Sequence, residues 1–306
     1  MEQNFEKSVD VYSLVTNRII ELLNAGTIPW QQSWTQGGIP RNLISKRPYR
    51  GINMLLLNSL NFPHNLFLTW KQIKTVGGSV IKGEKGHIVV FNKMLEKKDS
   101  DKGEKVFFLR YYKVFNIDQC KELPVEFMPK ETDAHAPILL CDDVIENMEN
   151  KPKIVFKEKE AYYQPKGDFI NMPKIKSFHT IEDYYGVLFH ELIHSTGHES
   201  RLNRKEVTGK IIFGSRDYSL EELTAEIGAC FMKSHCGLSI EDLSNNAAYI
   251  QGWLEKLESD KRFIFHASSR AQKAVEYIIG GPAEKVDEAD YAGEIIVDSP
   301  ESELAE

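Results

Sequence analysis

The chain has 306 residues, 42% of them hydrophobic and 27% charged, a balance that supports one large or two ordinary globular domains. Its apolar runs, such as Met54 to Leu57, are too short to span a bilayer, and Met1 to Asp10 lacks the apolar segment of a signal peptide. Four scattered cysteines form no CxxC pair, which argues against a disulfide framework or a cysteine zinc site and fits a reduced, cytoplasmic protein with no membrane partner.

In chain order, apolar spacing predicts a helix over 7–25, stopped by Gly26 and Pro29. Residues 30–50 are rich in Gln, Gly, Pro and Asn and read as an irregular loop. A short helical run follows within 51–78, with a second starting near Thr69. Glycines 77, 78, 83 and 86 then mark a change to β pattern, with strands at 87–91 and 106–115 joined by a charged tip into a hairpin. Residues 120–152, interrupted by Pro124, Pro129 and Pro137, read as a connector. Strands are expected near 153–156 and 168–172, then helices near 181–197, 219–235, 245–258 and 267–279. The last 25 residues are acidic and poor in large apolar groups, the composition of a disordered tail.

Charge is segregated along this order. Residues 1–120 carry 17 Lys/Arg against 10 Asp/Glu, while residues 282–306 carry 1 against 9. No acidic residue lies between Glu21 and Glu84, a stretch that contains Arg41, Lys46, Arg47, Arg50, Lys71, Lys74 and Lys82, with Lys85 just beyond it. Among these cations stand Trp30, Trp34, Tyr49, Phe62, Phe67 and Trp70. Cations along phosphates and flat rings under splayed bases are what single-stranded nucleic acid requires. The candidate DNA-binding residues are therefore Trp30, Arg41, Lys46, Arg47, Tyr49, Arg50, Trp70, Lys71, Lys82 and Lys85. For any one aromatic, a place in the core is the plainer alternative.

The segment His190-Glu191-Leu192-Ile193-His194 is an HExxH sequence with helical character. Residues four apart share a helix face, so both imidazoles reach one ion, and Glu191 can act as general base toward a water whose pKa the metal has lowered. The pattern alone also fits two surface histidines on an amphipathic helix. A third ligand is sought in the next helix, where Glu222 and Glu226 lie one turn apart. Glu222 is preferred as ligand, with Glu226 accepting a hydrogen bond from a ligating imidazole. Ser219 and Glu222 also match a capping box, and on that reading Glu226 becomes the ligand. His198 follows the second histidine too closely for a third-histidine motif and reads as a rim residue.

Several short motifs keep a fixed order: Pro29-Trp30, Pro40-Arg41-Asn42, Tyr49-Arg50-Gly51-Ile52-Asn53, Leu68-Thr69-Trp70-Lys71-Gln72, Lys82-Gly83-Glu84-Lys85-Gly86 and Val114-Phe115-Asn116. The second half continues with Met172-Pro173, His190 to His194, Thr196-Gly197-His198, Ser200-Arg201-Leu202, Arg204 and Glu221-Glu222-Leu223. Together, over roughly residues 5–280, they resemble the ArdC-type antirestriction proteins of conjugative plasmids, whose front domain is shared with some plasmid primases. The resemblance implies a single-stranded DNA-binding domain joined to a zincin-like metallopeptidase domain, and protection of incoming plasmid DNA from host restriction.

The expected fold is α+β in two domains: a DNA-binding domain over 1–125, a connector over 126–150, a mostly helical minimal zincin over 151–281 and an acidic tail over 282–306. The expected cofactor is zinc or another divalent metal. An edge strand near Phe169 to Met172 is expected to align an extended peptide by strand addition. Single-stranded DNA is the expected partner, and a peptide or protein substrate is left open. Two rival readings stand beside this one: a protease directed to DNA-bound proteins, and a DNA-binding protein whose metal is structural.

Overall fold

The computed structural model describes residues 10–31, 38–96, 105–124, 137–209, 212–238 and 247–281. Helix α1 (Val11–Asn24) begins where the Asp10 carboxylate accepts the N–H groups of Tyr12 and Ser13, and it buries Val11, Val15, Ile19 and Leu23. A four-stranded sheet follows in the order β1-β2-β5-β4, made of β1 (Arg41–Asn42), β2 (Leu66–Thr69), β5 (Lys105–Asn116) and β4 (His87–Glu96). The expected hairpin is present, with β4 and β5 antiparallel from the His87–Val114 pair to the Glu96–Lys105 pair. Most of its charged tip lies outside the described residues. Helices α2 (Ile52–Asn58) and α3 (Trp70–Thr75) pack on this sheet, and a small ladder of β3 (Ser79–Val80) with β6 (Cys120–Lys121) closes the region.

The presumed connector carries a helix, α4 (Pro137–Glu146), with Cys141, Val144 and Ile145 buried. Pro137 begins this helix rather than breaking it, because the first helical position needs no N–H donor and proline already has the required φ. A three-stranded sheet then runs in the order β7-β9-β8, from β7 (Lys153–Val155), β9 (Phe169–Asn171) and β8 (Tyr162–Gln164). The strand at Phe169 is thus central, paired on both sides, and the expectation of an edge there is corrected. The edge beside the helices is β8.

Helices α5 (Ile181–Ser195), α6 (Lys205–Thr208), α7 (Arg216–Cys236), α8 (Ala247–Ser259) and α9 (Phe263–Ile278) complete the fold. Thr180 and Asp183 form a capping box at the start of α5; Ser215 caps α7, and Gly237 ends it in a left-handed conformation. One hydrophobic core joins both halves of the sequence: Val15, Ile19, Trp30 and Leu55 from the front pack with Phe189, Leu223, Trp253 and Phe263 from the rear. Two smaller cores, around Leu68 and Phe67, hold the front sheet to its helices. Among the described residues, no helix is long and apolar enough to cross a membrane.

Candidate metal centre and nucleic-acid face

Helices α5 and α7 approach closely at Gly228, where an added Cβ would stand 2.7 Å from two atoms of the Ile193 side chain. That approach brings Glu222 of α7 to the two histidines of α5, and one donor atom from each of His190, His194 and Glu222 falls within 4.8 Å of the others. The two Nε2 atoms stand 3.1 Å apart, and the Glu222 carboxylate lies 3.8 Å from His190 Nε2 and 3.7 Å from His194 Nε2. Burial, together with the neighbouring His194, drives the His190 imidazole down to about 3. Burial also opposes charge on His194, but the Glu221 hydrogen bond and nearby carboxylates outweigh it and raise its pKa. Two imidazole nitrogens this close carry one proton between them, and a carboxylate faces the pair. A divalent cation satisfies all three donors in place of that proton, so the residues fit a His2Glu site.

The group that orients His194 is Glu221, not Glu226. His194 Nδ1 donates to Glu221 Oε1 at 3.0 Å, which directs Nε2 toward His190 and Glu222. Arg204 in turn holds Glu221 with two bonds, Nη2 to Oε1 at 2.6 Å and Nε to Oε2 at 2.8 Å, and its remaining donors reach Thr196 Oγ1 and the Ile193 carbonyl. Glu221 is buried, yet its pKa falls because His194 and Arg204 outweigh the desolvation. Glu226 points one turn further along α7, to the hydroxyl of Tyr249, and burial raises its pKa. Helix α7 starts at Arg216 with Ser215 as its cap, so Ser219 lies inside the helix and the capping-box alternative for Glu222 does not arise. Tyr218, one turn before Glu222, bonds its carboxylate. His198 turns instead to Ser200, whose backbone N–H it accepts at 3.2 Å.

Glu191 is buried beside this group, and burial raises its pKa while His194 and the backbone N–H of Tyr163 on β8 pull the other way. Strand β8 is fixed by Arg201, which ion-pairs with Asp168, reaches Tyr163 Oη at 3.2 Å and donates to the Ser195 carbonyl at the end of α5 at 2.7 Å. A carboxyl group of raised proton affinity thus stands against an edge strand.

In the front half, Asn42 organises a basic turn. Its Oδ1 accepts the N–H groups of Ile44 and Ser45, while its amide donates to Gln72 Oε1 at 2.9 Å. Gln72 belongs to the capping box of α3, so the turn bearing Lys46 and Arg47 is tied to the helix that opens with Trp70. Trp70 is 51% exposed, tilts over Phe115 at 5.8 Å and carries Lys74 above its ring at 5.3 Å. The Phe115 ring also lies 3.0 Å from where a Cβ on Gly86 would stand, which places the Lys82–Gly86 loop beside the same stack. Arg41, Lys46, Lys71, Lys82 and Lys85 are exposed, and Arg47 is half-buried.

Three of the expected DNA contacts are not on this face. Trp30 is 1% exposed, packs edge-on against Trp253 and donates to the Tyr249 hydroxyl at 3.1 Å. Tyr49 is buried edge-on against Phe67. Arg50 is ion-paired with Glu276 of α9. Each joins elements together: the aromatic composition of the front half serves packing first, and a ring reads as a stacking platform only where no second element covers it.

Comparison with known proteins accounts for both halves. Residues 9–115 match the N-terminal domain of anti-restriction factor ArdC, and residues 142–270 match a zincin-like metallopeptidase domain. The crystal structure of antirestriction protein ArdC from plasmid R388, in its metal-free form, superposes with a TM-score of 0.72 at 38% identity, covering 88% of this chain and 97% of that one. The chain belongs to the ArdC family of antirestriction proteins. A Mn(II)-bound structure of the R388 ArdC superposes equally well, at 36% identity over 91% of this chain. A protein of Sinorhizobium fredii, y4eC, is 33% identical over 88% of this chain and 91% of its own length. DNA primase TraC of Escherichia coli is 30% identical over 94% of this chain, but the match spans only 21% of the primase. The ArdC architecture is thus carried whole here, whereas the primase holds it as one part of a much longer protein.

Proposed function

We propose that this ArdC-family protein acts in the cytoplasm, binding single-stranded DNA on the face built around Trp70, and that its rear half holds zinc at His190, His194 and Glu222. The observation that carries the DNA reading is an exposed indole tied through Gln72 and Asn42 to a basic turn, in a stretch without acidic residues until Glu84. Arg41, Lys46, Arg47, Lys71, Lys82 and Lys85 would track phosphates while Trp70 stacks on a base, giving affinity with little sequence preference. Replacing Trp70 with Ala is expected to weaken single-strand binding by about 1–3 kcal/mol. Half-exposed as the ring is, thermal stability should change little. A variant that binds normally, or that loses stability instead, removes the stacking role.

A second reading follows from Glu191 and the edge strand. A metal held by His190, His194 and Glu222 would lower the pKa of a water and polarise a carbonyl. Glu191 would hold and pass the proton, and an extended peptide would lie along β8 with Tyr163 fixing the position of Glu191. In Glu191→Gln, peptidase activity should fall by orders of magnitude with metal content and DNA binding near wild type. Plasmid transfer into a restricting host separates the readings: protection that survives this variant but fails when Lys46, Lys82 and Lys85 are replaced assigns protection to DNA binding. Protection lost in Glu191→Gln with DNA binding intact assigns it to proteolysis.

A further inference from the structure

The acidic segment 282–306 leaves the fold beside the basic turn of the front half. Helix α9 ends at Ile278, and Gly281 donates its N–H to the Glu276 carbonyl at 2.6 Å. The Glu276 side chain is ion-paired with Arg50, and one turn earlier Gln272 accepts the N–H of Gly51 at 3.0 Å. The point where residues 282–306 begin is thus held against Arg50 and Gly51. Arg50 in turn follows the basic turn directly. The Asn42 N–H reaches the Arg47 carbonyl at 2.9 Å and the Tyr49 N–H reaches the Pro40 carbonyl at 2.8 Å, closing the loop that carries Lys46 and Arg47. From Arg50 back to Arg47 is at most about 11 Å of chain.

Residues 282–306 carry 9 Asp/Glu against 1 Lys. Extended, they would span about 80–90 Å, more than the return to this face requires. The face itself is drawn from a stretch with no acidic residue between Glu21 and Glu84. The other lysine-rich stretch, 151–176, already mixes Glu158, Glu160 and Asp168 among its cations, and its Lys151 is paired with Glu146. An acidic segment tethered at the rim of a cationic face has a local concentration on the order of millimolar, enough to occupy it through contacts too weak to hold a separate molecule. We propose that residues 282–306 fold over the Trp70 face and pair with its cations, among them Lys46, Arg47, Lys82 and Lys85, in the place that DNA phosphates take when a single strand binds. The inference rests on the DNA reading of that face and adds its regulation. A strand long enough to neutralise several cations at once displaces the segment, and a short one does not.

The test compares the full-length protein with a full-length variant in which every Asp and Glu of 282–306 is replaced by its amide, equal melting showing that the fold is kept. Anisotropy of a labelled oligothymidylate should give the variant an affinity about tenfold higher at low salt, as for a competitor at millimolar local concentration with a dissociation constant near ~0.1 mM. The advantage should shrink as salt is raised, because the pairing it removes is screened. Carbodiimide coupling then locates the segment in the wild-type protein. Amide cross-links from its carboxylates to Lys46, Lys82 or Lys85, mapped by mass spectrometry, are expected, and oligothymidylate should suppress them. Equal affinity of the two proteins overturns the inference. So does a higher affinity of the variant without these cross-links, which is general repulsion by the acids. Coupling to Lys153, Lys157, Lys174 or Lys176 instead places the segment on the rear half and overturns it as well. In each of these outcomes the wild type still binds the strand, so the DNA reading stands. If neither protein binds oligothymidylate at low salt, the DNA reading itself fails, and the regulation inferred from it fails with it.

Discussion

Arg204 has its guanidinium buried against four acceptors on two helices, and its role rests on what it does to Glu221. An unpaired carboxylate in that position would take a proton, leaving His194 without the acceptor that fixes its Nδ1. With Arg204 in place, Glu221 stays ionised and the imidazole presents Nε2 to His190 and Glu222. Gly197 is part of the same arrangement, since an added Cβ there would meet Val207 at 2.4 Å and the Arg204 guanidinium at 3.0 Å. Glu221→Gln keeps the shape but removes the charge, so metal affinity is expected to fall about 10- to 100-fold by competition titration. Glu226→Gln, whose partner is Tyr249, should leave metal affinity within about twofold of wild type. The reverse ranking would return the orienting role to Glu226. Sequence spacing favoured Glu226 because residues four apart share a face; that rule orders residues along α7 but cannot say which neighbour meets a ring coming from α5. The signal that was available was Arg204 itself. An arginine close after the HExxH helix, followed by a Glu-Glu pair, is a plausible buried ion pair, and a buried ion pair beside a histidine is a means of orienting it.

Among the elements, α5, α7 and even short pieces such as α3, β7 and β9 were readable, whereas α4 and β8 were not. Helices α5 and α7 carry apolar faces of several turns, and their caps at Thr180 and Gly237 are local chemistry, so their positions followed from the residues. Strand β8 has three residues and no distinctive pattern, and what makes it a strand is pairing with β9 and the anchor from Arg201. Tertiary contacts of that kind leave no periodic trace. Arg201 has a fully buried side chain, and Asp168, its partner, is held below its ordinary 3.8: burial pushes the carboxyl upward, and the bonds from Arg201 and Tyr163 overcome it. A carboxylate with a depressed native pKa contributes stability that is complete above its unfolded value and is lost as pH falls through the native one. Arg201→Ala should therefore cost about 2–4 kcal/mol near neutral pH. The gap to wild type should narrow as pH falls from 3.8 through the lower native value, where Asp168 of the wild type loses its charge as well. Melting curves of the two proteins across pH give the comparison, and a gap independent of pH would show that the loss is packing alone.

At the scale of the whole molecule, the two family-matched segments are divided in sequence but not in packing. Trp30 from the front half reaches Tyr249 and Trp253 of α8, and the Tyr249 hydroxyl that accepts from Trp30 also bonds Glu226 of α7, one turn beyond Glu222. Thr16 on α1 donates to the Lys261 carbonyl at 2.7 Å, Gly51 donates to Gln272 at 3.0 Å, and Arg50 pairs with Glu276. Composition suggested a basic front domain free to act by itself, because charge segregation is visible in a sequence and a shared core is not. A fragment ending near residue 125 would expose Val15, Ile19 and Trp30 without their partners and is expected to be unstable alone. The intact chain should then unfold in one calorimetric transition, with van't Hoff and calorimetric enthalpies in agreement. Trp30→Ala removes a ring from the join itself, and the expected loss is about 3–5 kcal/mol. That loss should lower the melting temperature reported by probes at His190 and at Trp70 together. Two separate transitions, only one of them moved by Trp30→Ala, would show that the halves fold independently and that the contacts through Tyr249 and Glu276 are a docking surface between domains.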